Sequence, residues 1–153
     1  MAQLGEMNGS ELLSAYRHKS LSPVEVTKDT LRRIDQFEPA INAFSLVDHA
    51  GALKSALESE TRWQNGHPIG PMDGLCVTIK DNINVKGWPS RRGSAVTPTT
   101  LADADAPVVA RLREAGAILL GKTTMPEYGW KGVGDSPLTG ISRNPWNTGR
   151  NPG

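Results

Sequence analysis

The sequence lacks the features that define several classes of protein. It contains one cysteine among 153 residues, which excludes a disulfide framework and every zinc site built on two or more cysteines. It has no continuous apolar run of the length that spans a bilayer, and its N-terminus has neither a basic start nor an apolar stretch. We therefore expect no signal peptide and no membrane association, and we interpret the chain as cytoplasmic.

The sequence also lacks an excess of charge of either sign. Its 17 Lys and Arg residues and 16 Asp and Glu residues give a formal net charge of +1. Proteins that bind nucleic acids usually carry a basic excess, so we expect no direct contact with nucleic acid. With 37% hydrophobic and 22% charged residues, the composition is typical of a globular chain with one sizeable core.

Glycine and proline are scarce in the first part of the chain and frequent after it. Only three of the 16 glycines and two of the 11 prolines precede position 66. Residues 1–66 are therefore predicted to be mainly helical, and residues 67–153 to form short elements separated by turns.

Three helices are predicted in the first part, each after a residue that favours the N-cap position. They run from about Asn8 to His18, from Ser22 to Phe37 and from Asp48 to Trp63, with a short strand at 43–47. We expect the second helix to end before Pro39, because the residue that precedes a proline disfavours the α conformation.

From Gly74 onward the hydrophobic period changes to two. Apolar and other residues alternate over 75–80, which predicts a strand with Lys80 at its C-terminal end. A helix is predicted from about Asp105 to Gly116, and 117–120 is predicted to be a buried strand. This strand, helix, strand order predicts an α/β fold, in which ligands bind at the C-terminal ends of the strands.

Two motifs suggest other chemistries and are judged to be misleading. Residues 116–123 match G-x-x-x-x-G-K-T, but a P-loop needs a strand before the first glycine and a helix after the lysine, and here a helix comes before it. Cys76 stands inside an apolar strand, where a cysteine usually packs without reacting. The three histidines lack metal-ligand spacing, so we expect no metal and no cofactor.

Lys80 is the candidate for acid–base chemistry. Asp81, Asn82 and a long turn-rich passage follow it, and a lysine that is partly desolvated among hydrogen-bonding groups can act as a base. Alternation places Asp81 on the opposite face of the strand, which limits contact between the two side chains.

Five blocks in order along the chain resemble the amidase signature family. They are Gly70–Asn82, Gly93–Ser94, Ala106–Ile118, Gly121–Glu127 and Asn144–Asn147. The resemblance extends from Ser10 to Gly153 and is most specific from residue 70 onward. It implies an α/β fold in which N-terminal helices are followed by part of a mixed sheet with helices on both faces, all within one amidase domain over 1–153.

The resemblance also implies a chemistry. Family members hydrolyse or transfer at a carboxylic amide through a Ser, cis-Ser, Lys triad and a covalent acyl-enzyme, and Lys80 matches the family's lysine. Met125 corresponds to a segment near the acyl pocket, so Met125, Pro126, Glu127 and Tyr128 are candidates for the substrate cleft. Thr124 stands where many members carry asparagine. The implied ligand is a small-molecule amide.

The chain departs from the family at its end. The glycine- and serine-rich block that carries the bridging serine, and the nucleophile beyond it, have no counterpart before Gly153. The nearest serines, which match neither family position, are Ser90, Ser94, Ser136 and Ser142. We therefore expect the 153-residue chain to be a truncated, inactive portion of an enzyme.

Two alternatives remain open from the sequence. The chain resembles equally the A subunit of a tRNA-dependent amidotransferase, which would require partner subunits. In a different class, it is a non-catalytic truncated product that acts as an oligomerising or binding fragment, because an incomplete sheet exposes an edge and an apolar face.

Overall fold

The computed structural model describes residues 4–152 and contains four α-helices and five strands within that range. The helices are α1 (Gly9–Arg17), α2 (Pro23–Ile41), α3 (His49–Gln64) and α4 (Pro107–Glu114). The strands are β1 (Phe44–Val47), β2 (Cys76–Lys80), β3 (Ile118–Thr123), β4 (Asp135–Ser136) and β5 (Gly140–Ile141). No helix in this range has both the length and the apolar composition that crossing a membrane requires.

Local capping chemistry explains where the N-terminal helices begin. The Asn8 side chain accepts a hydrogen bond from the Glu11 N–H, and the Glu11 carboxylate accepts one from the Asn8 N–H. Ser22 and Glu25 form the same reciprocal pair ahead of α2. Asp48 accepts the Gly51 N–H at the start of α3. The predicted starts of all three helices are confirmed.

The predicted end of α2 is wrong. The helix continues through Pro39 to Ile41, because a proline in the last turn removes only one N–H donor and the chain beyond it is bonded in other ways. The Asn42 N–H donates to the Glu38 carbonyl, at 2.8 Å. The Glu38 carboxylate accepts the N–H groups of Ala43 and Phe44, at 3.0 and 2.8 Å.

Strands β1, β3 and β2 form a three-stranded mixed sheet in that order. β1 runs antiparallel to β3, with Leu46 opposite Lys122 and Val47 opposite Gly121. Hydrogen bonds join the start of β2 to the start of β3 and the end of β2 to the end of β3. The two strands are therefore parallel, and α4 is the helix of a βαβ unit. The α/β fold and the mixed sheet are confirmed.

β3 is longer than the four residues predicted for it. It continues through Gly121, Lys122 and Thr123, so the lysine of the P-loop-like motif lies inside a strand. A Cβ on Gly121 would collide with the Leu46 carbonyl of β1, which accounts for a glycine in this buried strand. The structure thus confirms the rejection of the phosphate-binding motif.

The chain forms two compact units. The first comprises the described part of Met1–Ile34 with Asp48–Val77 and Arg111–Leu120. Its core includes Tyr16, Leu31, Ala56 and Ile118. The Asp73 carboxylate is fully buried there and accepts hydrogen bonds from Ser59, from Arg62 and from the Ile69 N–H.

The second unit comprises Asp35–Val47, Thr78–Ala110 and the described part of Gly121–Gly153. Its buried apolar residues are Ile79, Val85, Val109 and Met125. Residues 130–152, for which the sequence shows no period, contain the two-residue strands β4 and β5, paired antiparallel. That 1–153 is one amidase domain, helical over 1–66 and catalytic over 67–153, stays a prediction.

Candidate active site

Lys80 is the last residue of β2 and is exposed, between the buried residues Ile79 and Asp81. Its side chain makes no hydrogen bond or ion pair with any residue in the range 4–152. The strand period separates its side chain from that of Asp81, as expected. Asp81 is 2% exposed and pairs with another lysine.

Asp81 fixes the end of β2 to the loop that follows. Its own N–H donates to the Thr123 carbonyl of β3, at 3.2 Å. Its two carboxylate oxygens accept the N–H groups of Arg91 and Gly93, each at 3.2 Å. Hydrogen bonds to β3 on one side and from the loop at 91–93 on the other therefore hold the backbone next to Lys80.

Lys122 completes this buried network from β3. It is 0% exposed, and its Nζ lies 3.6 Å from the Asp81 carboxylate. The same Nζ donates to the Pro89 carbonyl at 2.8 Å and to the Ser90 Oγ at 2.6 Å. Burial lowers the pKa of Lys122, and the charge of Asp81 opposes that shift.

Lys122 thus lies inside the protein with its nitrogen engaged on three sides. It donates hydrogen bonds to the Pro89 carbonyl and the Ser90 Oγ and faces the Asp81 carboxylate at 3.6 Å. The side chain of Lys80, by contrast, meets no protein acceptor in the described range.

Lys80 lines an open cavity of about 300 Å³ in the second unit. Thr124, Met125 and Pro126 line it from the segment after β3, and the rest of the wall comes from the glycine-rich residues 129–134, Ser142 and Pro152. This volume suits a small ligand. Of the four cleft candidates, Met125 and Pro126 therefore share a cavity with Lys80.

The other two cleft candidates lie elsewhere. Glu127 begins a 3-10 turn and does not line this cavity. Tyr128 is 57% exposed and lines a different cavity of the same unit. Its φ is 51°, a left-handed value that is strained for an aromatic residue, and its hydroxyl meets Thr97 at 3.2 Å, which lowers the pKa of the tyrosine. Cleft roles for both residues stay predictions.

A short chain of hydroxyl groups forms another wall of the Lys80 cavity. The Ser142 hydroxyl donates to the Asn42 carbonyl at 2.7 Å, and the Thr124 and Ser142 hydroxyl oxygens are 2.7 Å apart. Asn42 holds the same segment through its side chain, which donates to the carbonyls of Thr139 and Ile141.

Cys76 and the metal-ligating residue types were the other candidates from the sequence. Burial raises the pKa of the Cys76 thiol, which keeps it protonated at neutral pH. Within residues 4–152, no group of three or more His, Cys, Asp or Glu side chains is arranged to hold a metal ion.

Comparison with known proteins identifies the family of this chain. The sequence profile of the Amidase family matches residues 25–153. The chain belongs to the amidase family. The recognition made from the sequence blocks is confirmed.

Two curated relatives illustrate the range of this family. The chain is 38% identical over 151 residues to the A subunit of glutamyl-tRNA(Gln) amidotransferase from Methylacidiphilum infernorum, covering 99% of this chain and 29% of that protein. It is 35% identical over 147 residues to an acylamidase of Rhodococcus erythropolis, covering 96% of this chain and 31% of that protein.

Solved structures agree. The native peptide amidase of Stenotrophomonas maltophilia superimposes with a TM-score of 0.85 at 30% identity, over 94% of this chain and 31% of that one. The chain thus spans about a third of the length of the amidases it matches.

Sequence reasoning missed two features of the site. It placed Lys122 in a false P-loop and in a family block but assigned it no role, because the predicted strand ended at 120; a buried lysine signals an acidic partner, since an unpaired buried charge is costly. It gave no sign that Ser142 and Asn42 meet, 100 residues apart. Only the fold brings them together.

Proposed function

We propose that this chain carries the catalytic lysine, Lys80, of an amidase that cleaves the C–N bond of a carboxylic amide. One observation supports this assignment above the others. In a chain of the amidase family, Lys80 reaches a cavity at the C-terminal end of a strand with its side-chain nitrogen unpaired among the described residues. That strand end is where α/β proteins bind ligands.

In the proposed mechanism Lys80 is the ultimate base of a Ser, cis-Ser, Lys triad. The neutral amine takes a proton from the bridging serine, which takes one from the nucleophilic serine as its oxygen attacks the amide carbon. The proton then returns through the bridging serine to the leaving amine, and water cleaves the acyl-enzyme. One lysine thus serves first as base and then as acid.

The 153-residue chain alone is expected to show no amide turnover. None of its serines is assigned as nucleophile, and without a nucleophile and an oxyanion hole the largest contributions to acyl transfer are missing. Incubation with benzamide and detection of released ammonia is the direct measurement. Turnover that disappears in the Lys80→Ala variant would contradict this expectation.

A chimera tests the role of Lys80. The chain replaces the matching N-terminal part of the Rhodococcus acylamidase, which supplies the remaining two thirds of an amidase. We expect the chimera to hydrolyse an anilide, and Lys80→Ala to lower kcat about 10²- to 10⁴-fold, the usual contribution of a positioned acid or base.

The matched control is Lys54→Ala. Lys54 is an exposed lysine of α3 that does not line the cavity, so its removal should change kcat by less than about threefold. Circular dichroism and thermal unfolding establish that each chimera is folded. A folded chimera that turns over equally well with and without the Lys80 amine would refute the proposal.

A second candidate is one subunit of an amidotransferase that acts on a tRNA-bound substrate. The support is the 38% identity to the A subunit of glutamyl-tRNA(Gln) amidotransferase. Affinity purification of the chain from its native cells separates the candidates. Recovery of stoichiometric partner subunits would favour the amidotransferase, and recovery of the chain without them would favour the hydrolase.

A further inference from the structure

We propose that Thr124 selects carboxamides in the Lys80 cavity by accepting a hydrogen bond from the amide nitrogen. The inference rests on the proposed function and goes beyond it, because it assigns the group that distinguishes an amide from the corresponding ester or acid. It follows from the direction of two hydrogen bonds.

A serine hydroxyl has a single proton. Ser142 donates that proton to the Asn42 carbonyl, at 2.7 Å, because a carbonyl can only accept. The Thr124 hydroxyl lies 2.7 Å from the same serine oxygen. It must therefore be the donor in that pair. Ser142 is 6% exposed, so its own hydroxyl is largely shielded from water.

The Thr124 hydroxyl can therefore only accept a further hydrogen bond. Its proton is committed to Ser142, and its oxygen makes no other hydrogen bond within residues 4–152. Thr124 lines the cavity. A side chain that could otherwise donate or accept is thereby restricted to accepting.

Lys80 lines the same cavity but does not bond Thr124. In the proposed mechanism its partner is the bridging serine, so the contact that separates amides from esters belongs to Thr124. A primary carboxamide offers Thr124 an N–H donor. An ester or a carboxylate has no donor and would place its oxygen against the Thr124 lone pairs.

Binding to the 153-residue chain tests this inference without any need for turnover. Benzamide, methyl benzoate and benzoate share one ring and differ in the group that meets Thr124. Titrations followed by ¹H–¹⁵N NMR, with the N–H groups of Thr124 and the glycines at 129–134 as reporters, give the dissociation constants. We expect benzamide to bind at least about fivefold more tightly than methyl benzoate, the ratio that one net hydrogen bond provides.

Three variants separate the role of the hydroxyl from a structural one. Thr124→Val keeps the shape and should abolish the preference for benzamide, whereas Thr124→Ser should retain it. Ser142→Ala removes the acceptor of the Thr124 proton, so that Thr124 can donate. In that variant methyl benzoate and benzoate should gain affinity while benzamide should not, a change that loss of packing would not produce. The NMR spectrum of each variant reports whether it is folded.

The outcomes of these binding experiments are distinct from those of the chimera experiment. An unchanged preference in folded Thr124→Val, or no saturable benzamide binding to the unsubstituted chain, would overturn the inference even where the chimera depends on Lys80. Conversely, a chimera that is indifferent to Lys80→Ala would remove the proposed function, while a preference lost in Thr124→Val and narrowed in Ser142→Ala would still establish Thr124 as the acceptor.

Discussion

Asp73 shows how a single buried charge is accommodated in the first unit. Its carboxylate, 0% exposed, accepts hydrogen bonds of 2.6 to 2.9 Å from Ser59, from two nitrogens of Arg62 and from the Ile69 N–H. The Trp63 indole donates to its carbonyl. Burial alone would raise the pKa of Asp73, but the hydrogen bonds and the Arg62 charge outweigh it and lower the pKa below its usual range.

We predict that Asp73→Asn lowers the free energy of unfolding by about 2–3 kcal/mol at neutral pH, since it removes charge-assisted hydrogen bonds and leaves Arg62 without its counterion. The folded pKa lies below the unfolded value of about 3.9. The stabilisation from Asp73 is therefore complete above that pH and is lost as the pH falls through the folded pKa. Urea unfolding from pH 7 to pH 2 measures the difference between the two proteins.

The matched control is Glu114→Gln, which breaks an exposed pair with Arg111. Exposed pairs contribute about 0–1 kcal/mol, so this variant should follow the unsubstituted chain at every pH. The difference between Asp73→Asn and the unsubstituted chain should narrow toward acid pH. A difference that stayed constant with pH would show that the substitution acts through packing instead.

The end of β2 is held by a buried ion pair and its hydrogen bonds rather than by any one residue. Asp81, just after β2, and Lys122, in β3, meet as a buried pair and together bond Pro89, Arg91 and Gly93 of the following loop. Breaking such a pair from one side leaves an uncompensated buried charge, which costs more than the pair itself contributes.

We predict that Lys122→Met lowers the free energy of unfolding by about 3–5 kcal/mol. The double variant with Asp81→Asn should lose at least about 1 kcal/mol less than the sum of the single variants, because the two sites are coupled. Urea unfolding gives these energies, and hydrogen exchange at the Arg91 and Gly93 N–H groups reports the loop. Lys131→Met, which breaks a partly exposed pair with Asp135, serves as control. Additive losses would show that the pair is not coupled.

Helices and strands could be predicted from the sequence where interactions between residues close in sequence determine them. The capping pairs at Asn8 and Ser22 and the period of two in β2 depend on neighbours in sequence, and those predictions are confirmed. The end of α2 was wrong because the Glu38 carboxylate receives the next N–H groups. The contact of Ser142 with Asn42 could not be predicted, because no local pattern connects positions so distant in sequence.

At the scale of the whole molecule, the surface of the second unit carries large apolar side chains. Trp146, Val96 and Trp130 are 95%, 84% and 78% exposed, whereas isolated soluble proteins rarely leave much apolar surface uncovered. The formal net charge of +1 provides little repulsion between copies. Both properties favour association of the chain with itself.

We predict that the sedimentation coefficient of the 153-residue chain rises with concentration in the micromolar range, and that a triple variant with Val96, Trp130 and Trp146 each replaced by serine remains monomeric. These side chains already meet solvent, so their replacement should change the free energy of unfolding by less than about 0.5 kcal/mol. Leu57→Ser, which removes a 55% exposed apolar side chain from α3 of the first unit, should leave the association unchanged. If the triple variant and the unsubstituted chain associate equally, another surface holds the copies together. If the unsubstituted chain is a monomer at every concentration, these side chains are tolerated in water.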